Sequence, residues 1–273
     1  MKVDVVSDIH LDFWVTVKVD ESLHRQAVSL FIEKIIPKQP SDILIIAGDM
    51  GHYNFQNALL LNELSHYYKY IFIVFGNHDF YMLNSNYFEK FEKDSMNRWN
   101  EMREIIDAIE GVYVLEGNKI TVDNVVFGGT GGWYDFSFGQ MYMHATLPRI
   151  KKAWYKLSND SRLIKGEPTD VIKFSNCEKE KLFSIINECD FIVTHIPPLL
   201  PRLLNNQYND ISNSFYYMDI GDHKEKLSQK TWIFGHTHVR KDLVAYGCRF
   251  VNAPIGYPIE GEIEKKQIVT IEV

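Results

Sequence analysis

A unit that recurs along the chain constrains it more than any bulk property does. Five times a short apolar run ends in a cluster of aspartate, asparagine or histidine: KVDVV into SDIH, DILIIA into GDMGH, YIFIVF into GNHD, DFIV into TH, and TWIF into GHTH. DILIIA and YIFIVF are apolar on both faces, as central strands are when helices cover one side and a second layer covers the other. In open α/β sheets, ligand sites gather at the carboxyl ends of the strands. The clusters therefore predict one site that collects Asp8, His10, Asp49, Asn77, His78, Asp79, His195, His236 and His238 from most of the chain.

Between these runs, helical patterns around Ser22 to Ile36 and Phe55 to Tyr68 complete a βαβαβ reading with strands Lys2 to Ser7, Asp42 to Ala47 and Tyr70 to Phe75. One long amphipathic helix is expected from about Tyr87 to Glu110, stopped by Gly111. Val112 to Gly129 reads as short strands with Gly117-Asn118 and Asp123-Asn124 as hairpin turns, so the topology becomes antiparallel there. Residues 131–175, aromatic-rich and basic, are expected to form an irregular insertion or cap. A helix at Cys177 to Glu188 precedes the fourth run. Strands near Leu243 to Tyr246, Arg249 to Asn252 and Gln267 to Glu272 read as the edge of a second sheet. No linker composition divides the 273 residues, which read as one domain carrying the insertion.

Composition narrows the function classes. With 45% hydrophobic and 24% charged residues the chain is an ordinary globular protein, not a disordered or collagen-like one. A net charge of -7 gives no global attraction to nucleic acid or anionic membrane, although a local basic patch can act against that background. Cys177, Cys189 and Cys248 have neither zinc-knuckle nor redox-pair spacing and read as buried thiols. The first residues enter a strand directly without a leader pattern, and no apolar run reaches the ~18 residues of a membrane span. A reducing cytoplasm is the expected location.

The donor types point to metal chemistry. Asp8 and His10, like His236 and His238, are two apart at a strand end, so both side chains of each pair can face one way. Singly, Asp49 could be a turn or helix-capping residue, and each histidine a hydrogen-bonding one. Carboxylate, amide and imidazole donors together suit Mn, Fe or Zn better than a thiolate-seeking metal.

The set SDIH, GD, GNHD, TH and GHTH, in this order from Ser7 to His238, resembles the signature of the calcineurin-like metallophosphoesterase family, in a bacterial and phage branch. The resemblance implies a four-layer αββα sandwich of two mixed β-sheets flanked by helices. It puts Asp8, His10, Asp49 and His238 around one metal ion and Asp49, Asn77, His195 and His236 around a second, with Asp49 shared. Two divalent ions against two carboxylates leave the centre cationic, which draws in a phosphate and permits in-line attack by metal-bound hydroxide. The same resemblance makes His78 the residue that faces substrate beside Asn77 and donates to the phosphoryl oxygen or the leaving group. Asp79 then holds the His78 imidazole, or else merely closes the turn.

Departures from the family pattern bear on substrate. GDMGHYN and GNHDFYM lack the arginines with which protein phosphatases of this family grip a monoester dianion. His52 stands either as an additional polar residue near the metals or as a surface residue at a helix start. In the closing Asn252-Ala253-Pro254-Ile255-Gly256-Tyr257 an arginine common to that branch is missing, and Asn252 reads as a buttress of the site or the turn. Gly131 and Gly132 either bring backbone over the substrate or form only a turn. Arg149, Lys151, Lys152, Lys156, Arg162 and Lys165, with Trp154 and Tyr155, could meet a nucleic-acid strand or form a solvated helix face.

A small phosphodiester or nucleotide is thus the expected substrate. A nuclease or phosphoprotein phosphatase of the same fold, and a non-catalytic protein-binding scaffold, are the alternatives. Nothing in the sequence signals a membrane or an obligate protein partner.

Overall fold

The computed structural model describes residues 1–204 and 210–272. One mixed sheet has the order β11-β1-β2-β3-β4, from β1 (Lys2–Val6), β2 (Ile43–Ala47), β3 (Tyr70–Val74), β4 (Val112–Val114) and β11 (Val269–Glu272). All its pairings are parallel except β1 with β11. A second mixed sheet runs β5-β6-β7-β8-β10-β9, from β5 (Lys119–Val122), β6 (Val125–Gly129), β7 (Phe191–Val193), β8 (Thr231–Ile233), β9 (Lys241–Ala245) and β10 (Cys248–Asn252).

Strand alternation makes the layers. Ile43, Ile45, Ala47, Phe72 and Val74 share one buried cluster with Phe127, Phe191, Val193 and Ile233 of the second sheet. Phe72 meets Phe127 across that interface with ring centroids 4.9 Å apart, and Phe127 stacks on Phe191 of the neighbouring strand at 4.8 Å. The intervening Leu44, Ile46, Ile71 and Ile73 face outward onto helices. There they meet Val28, Ile32 and Ile35 of α2 (Glu21–Ile35), Leu60, Leu61 and Leu64 of α3 (Asn54–Leu64), and Trp99, Met102 and Ile106 of α5 (Ser95–Asp107). This is the expected arrangement of two mixed sheets flanked by helices.

Several local expectations are corrected. The long helix is broken into α4 (Ser85–Lys90) and α5, because Glu92 and Lys93 turn left-handed (φ 53° and 60°) and Asp94 starts a new helix by accepting from Met96 N–H at 2.9 Å. Gly117-Asn118 is not a hairpin turn: β4 and β5 lie in different sheets, and Gly117 carries the chain between them. Asp123-Asn124, both at positive φ, does close the β5–β6 hairpin. The last strand edges the first sheet, where Val3 pairs with Ile271, instead of extending the second.

Residues 131–175 are helical where an irregular segment was expected. They contain α6 (Ser137–Met141), α7 (Leu147–Leu157) and α8 (Asp160–Leu163), ahead of α9 (Val171–Ile185), which starts before the expected Cys177. Cys177, Cys189 and Cys248 are free thiols, and burial pushes the last two up to about 11 and about 12. Among the described residues no helix is long and apolar enough to cross a membrane.

Candidate metal centre

Each of the five predicted clusters lies just past a strand, at β1, β2, β3, β7 and β8. The backbone there is unusual. Asp8, His10, Asp49, His236 and His238 all have left-handed φ, between 46° and 69°, a conformation that non-glycine residues hold only where the surrounding structure imposes it. The loops are tied edge to edge: Asp8 N–H donates to Gly48 O and His10 N–H to Asp49 O, each at 3.0 Å, and Gly235 N–H donates to His195 O at 3.0 Å. Glycine is needed for this closeness, since a Cβ on Gly76 would lie 2.1 Å from Asp49 Oδ1, and one on Gly235 would lie 2.6 Å from Ala47 O.

The seven expected ligands are brought together. Asp8, His10 and His238 offer atoms within 4.8 Å of one another, as do Asp49, His195 and His236. Asp49 Oδ2 lies between the groups, 3.8 Å from His10 Nε2 and 3.3 Å from His195 Nε2. Asn77 Oδ1 completes the second group at 3.1 Å from His195 Nε2 and 3.0 Å from His236 Nδ1. In the first, His238 Nε2 is 3.5 Å from Asp8 Oδ1 and 3.0 Å from His10 Nε2.

The chemistry of these donors is a test of whether metal fits. His195 Nδ1 donates to Ala47 O at 2.8 Å, and His236 Nε2 donates to Phe215 O at 2.9 Å. Each ring then turns its other nitrogen, as a bare lone pair, toward Asn77 Oδ1. His238 does the same toward Asp8, its Nδ1 being held by Glu260 at 2.9 Å. Lone pairs facing lone pairs in a buried site repel unless cations stand between them, and outer partners that fix imidazole orientation are typical of metal ligands. Without metal, protons fill that role. Burial opposes charge on His195, but the Asp49 carboxylate outweighs it and raises the ring to about 9. Burial likewise opposes charge on His238, and Asp8 and Glu260 raise it to about 9. His10 is held down to about 4 by burial despite Asp49, and His236 to about 4 by burial and the neighbouring His195. The residues fit divalent ions.

Residues 1–240 match the sequence model of the family described as calcineurin-like phosphoesterase. The chain belongs to that family. It is a metallophosphoesterase by family and by fold. The phosphoesterase is also 26% identical over 276 residues to an uncharacterized protein of Acanthamoeba polyphaga mimivirus, covering 93% of this chain and 91% of the relative. Among solved structures its fold is similar to the phosphopantetheinyl hydrolase of Mycobacterium tuberculosis, with a TM-score of 0.72 and 19% identity over 98% of this chain and 95% of that one.

Around the ligands the phosphoesterase departs from expectation in instructive ways. Asp79 does not hold the His78 imidazole: its Oδ2 accepts from Gly76 N–H at 2.7 Å and Asp49 N–H at 3.1 Å, closing the turn. Burial and the nearby Asp49 push it up to about 6. His78 is held instead by His52, whose Nε2 lies 2.8 Å from His78 Nδ1. His52 is buried, not a surface residue, and its Nδ1 lies 2.8 Å from Asp12 Oδ2. Asp12 was not singled out from the sequence; it stands two positions past His10 with no motif to mark it. Asn252 buttresses the centre as expected, accepting from Ser7 Oγ at 2.8 Å while Ser7 also reaches Asp8 Oδ2. Trp154 is buried and donates to Tyr134 OH at 2.7 Å, so it has no face for a base, whereas Tyr155 is exposed.

A cavity of about 340 Å³ opens above the centre, lined by Asp49, Asn77, His78, His236 and His238 below. Its walls come from Leu157 to Asp160 and from Ser212, Phe215, Tyr216, Tyr257 and Glu260. Of these wall residues Tyr257 lies in the closing turn quoted from the sequence and Leu157 to Asp160 in the expected cap, but none was given a role there, and Ser212, Phe215, Tyr216 and Glu260 come from segments without motifs.

Proposed function

We propose that this phosphoesterase hydrolyses a small phosphodiester with two divalent ions, Mn, Fe or Zn, held by Asp8, His10, Asp49 and His238 and by Asp49, Asn77, His195 and His236. The observation that carries the reading is the pair of facing donor groups that Asp49 spans at the floor of the cavity. Bound there, the ions would supply Lewis acidity to the phosphoryl oxygens and acidify a water for in-line attack.

The chain's own residues supply the rest. His52 Nδ1–H donates to Asp12, which leaves its Nε2 to accept from His78 Nδ1–H. In that tautomer His78 Nε2 faces the cavity wall with a lone pair, 3.4 Å from Tyr257 OH. It gives a proton to the leaving oxygen only after the ring has taken up a second one, a charge that burial opposes, holding the ring well below the ordinary histidine range, and that Asp49 favours. Asp12 and His52 act through His78 by fixing its orientation.

Among the described residues the cavity lining contains no lysine or arginine, and Asp160 and Glu260 are part of it. A wall of this kind supports a singly charged diester over a dianionic monoester or a nucleic-acid strand, since nothing beyond the centre compensates further phosphates. Phe215, Tyr216, Tyr257 and Leu157 offer apolar surface to an uncharged arm. Arg149, Lys151, Lys152, Lys156, Arg162 and Lys165 are absent from the lining, which counts against the nuclease reading.

The test compares bis(p-nitrophenyl) phosphate, p-nitrophenyl phosphate and single-stranded DNA with Mn-loaded and Zn-loaded protein. The small diester is expected to be cleaved fastest, and a chelator to abolish turnover. Preference for the monoester or for DNA overturns the substrate assignment, and a metal-loaded protein inert on all three supports a non-catalytic scaffold.

A further inference from the structure

A buried carboxylate outside every motif touches the centre. Asp160 is the first residue of α8 in segment 131–175 and is 3% exposed. Its Oδ1 accepts from Asn77 Nδ2 at 2.8 Å and from Tyr81 OH at 2.6 Å, and its Oδ2 accepts from Tyr134 OH at 2.7 Å. Tyr134 is in turn held by Trp154 of α7. All the donors converge on one carboxylate, and one of them is the amide that ends in a proposed metal ligand.

An asparagine amide has two nearly isosteric ends of opposite character, an acceptor oxygen and a donor NH2. Only the oxygen can bind a cation. Asn77 Oδ1 faces the lone pairs of His195 and His236, and nothing in the side chain itself prevents a half-turn that would aim NH2 at the ion instead. The constraint comes from the other end, where Nδ2 meets the Asp160 carboxylate and Tyr81 OH at 3.2 Å. A flipped amide would set its oxygen against a buried carboxylate, a repulsive contact.

We infer that Asp160 is a positioning residue for the second metal ion: through its bond to Asn77 Nδ2 it fixes the amide with the oxygen toward the ion, so segment 131–175 sets the occupancy of that site. The inference rests on the two-ion reading above and adds to it a dependence on a residue far from any ligand motif. It gives the segment a role in assembling the centre as well as in walling the cavity. The hydrogen bonds of the Asp160 carboxylate run to Asn77, Tyr81 and Tyr134 and not to Asp8, His10 or His238, so the first site is expected to be indifferent to it.

The experiment titrates metal-free protein with Mn and with Zn by calorimetry and counts bound metal after desalting. Wild type is expected to take up two ions. Asp160→Ala is expected to keep the first and to bind the second about 10- to 100-fold more weakly, the usual effect of losing an outer partner of a ligand. Asp160→Asn, which can still turn an oxygen to Asn77 Nδ2, is expected to retain both with a smaller loss. Tyr134→Phe removes a bond to Asp160 without touching Asn77 and is expected to retain both. Two ions bound by Asp160→Ala with wild-type affinity overturn the role of Asp160 while leaving the two-ion reading intact. An equal loss in Tyr134→Phe overturns it too, because packing of the segment and not the Asn77 bond would then be responsible. If Asp160→Ala does not fold, Asp160→Asn decides: wild-type affinity for the second ion overturns the inference. Fewer than two ions in wild type overturn the two-ion reading itself, and this one with it.

Discussion

Gly76→Ala tests the central geometric claim, that the shared carboxylate is fixed by close approach of two strand-end loops. Gly76 has φ -113°, which any residue can adopt, so backbone strain plays no part and the effect is steric. The added Cβ would sit 2.1 Å from Asp49 Oδ1 and 2.8 Å from its Cγ, about 1.4 and 0.7 Å short of the ~3.5 Å at which such atoms rest. Asp49 has nowhere to retreat. It is 1% exposed, its Oδ1 accepts from His78 N–H at 2.9 Å, and His10 and His195 flank its other oxygen. The clash must therefore move either the carboxylate or the whole loop that carries Asn77 and His78, by about 1 Å. Overpacking of this size costs roughly 1–3 kcal/mol of stability. For a chain of this length that is a fall in melting temperature of roughly 2–12 °C, which leaves the protein folded at 25 °C. The functional loss is larger, since a misplacement of about 1 Å at a reacting centre costs on the order of 10²-fold in turnover. Metal content, thermal melting and kcat on a chemical diester are measured on the same preparation. A variant that melts a few degrees lower yet keeps full metal content and turnover would refute the reasoning, because it would mean that Asp49 has freedom the packing denies it.

The remaining predictions concern the surroundings of the centre. His52→Ala is expected to lower kcat about 10²-fold for a diester with an alkyl leaving group and to spare p-nitrophenyl esters, which need no proton; equal losses on both would exclude a role through His78. Metal uptake is expected to release about two protons near pH 7, from His195 and His238, and progressively fewer as the pH passes about 9, measured by titration in buffers of different ionisation enthalpy. Because both rings are raised above the ordinary histidine value, the stability they lend the metal-free protein is fully present below about 6.5 and is lost as pH rises through about 9; an unchanged metal-free melting curve across that window would contradict the assignment. Arg98→Leu strips donors from the carbonyls of His78, Tyr81 and Gly51, which Arg98 bonds from a fully buried position, and is expected to cost about 3 kcal/mol, read as a melting shift of roughly 6–12 °C.

By itself the sequence determined the alternation of strands and helices and the side chains that end each strand, and its resemblance to the family implied the layered fold. Strand periodicity, double-faced apolar runs and the glycines before Asp49, Asn77 and His236 are local properties, and local properties survive in one dimension. Even so, the break at Glu92 and Lys93 escaped it, since apolar spacing continues across a turn that a left-handed pair makes. So did the sheet of the last strand, because pairing Val3 with Ile271 joins the two ends of the chain. What only the tertiary structure decided is who orients whom. Asp79, adjacent to His78 in sequence, turns away to close the turn, while His52 and Asp12 hold that imidazole from other segments. Asn77 is aimed by Asp160 from a helix that no motif announces. Hydrogen bonds between side chains depend on direction and on sub-ångström distance, and these are set only once the segments that carry the side chains have packed.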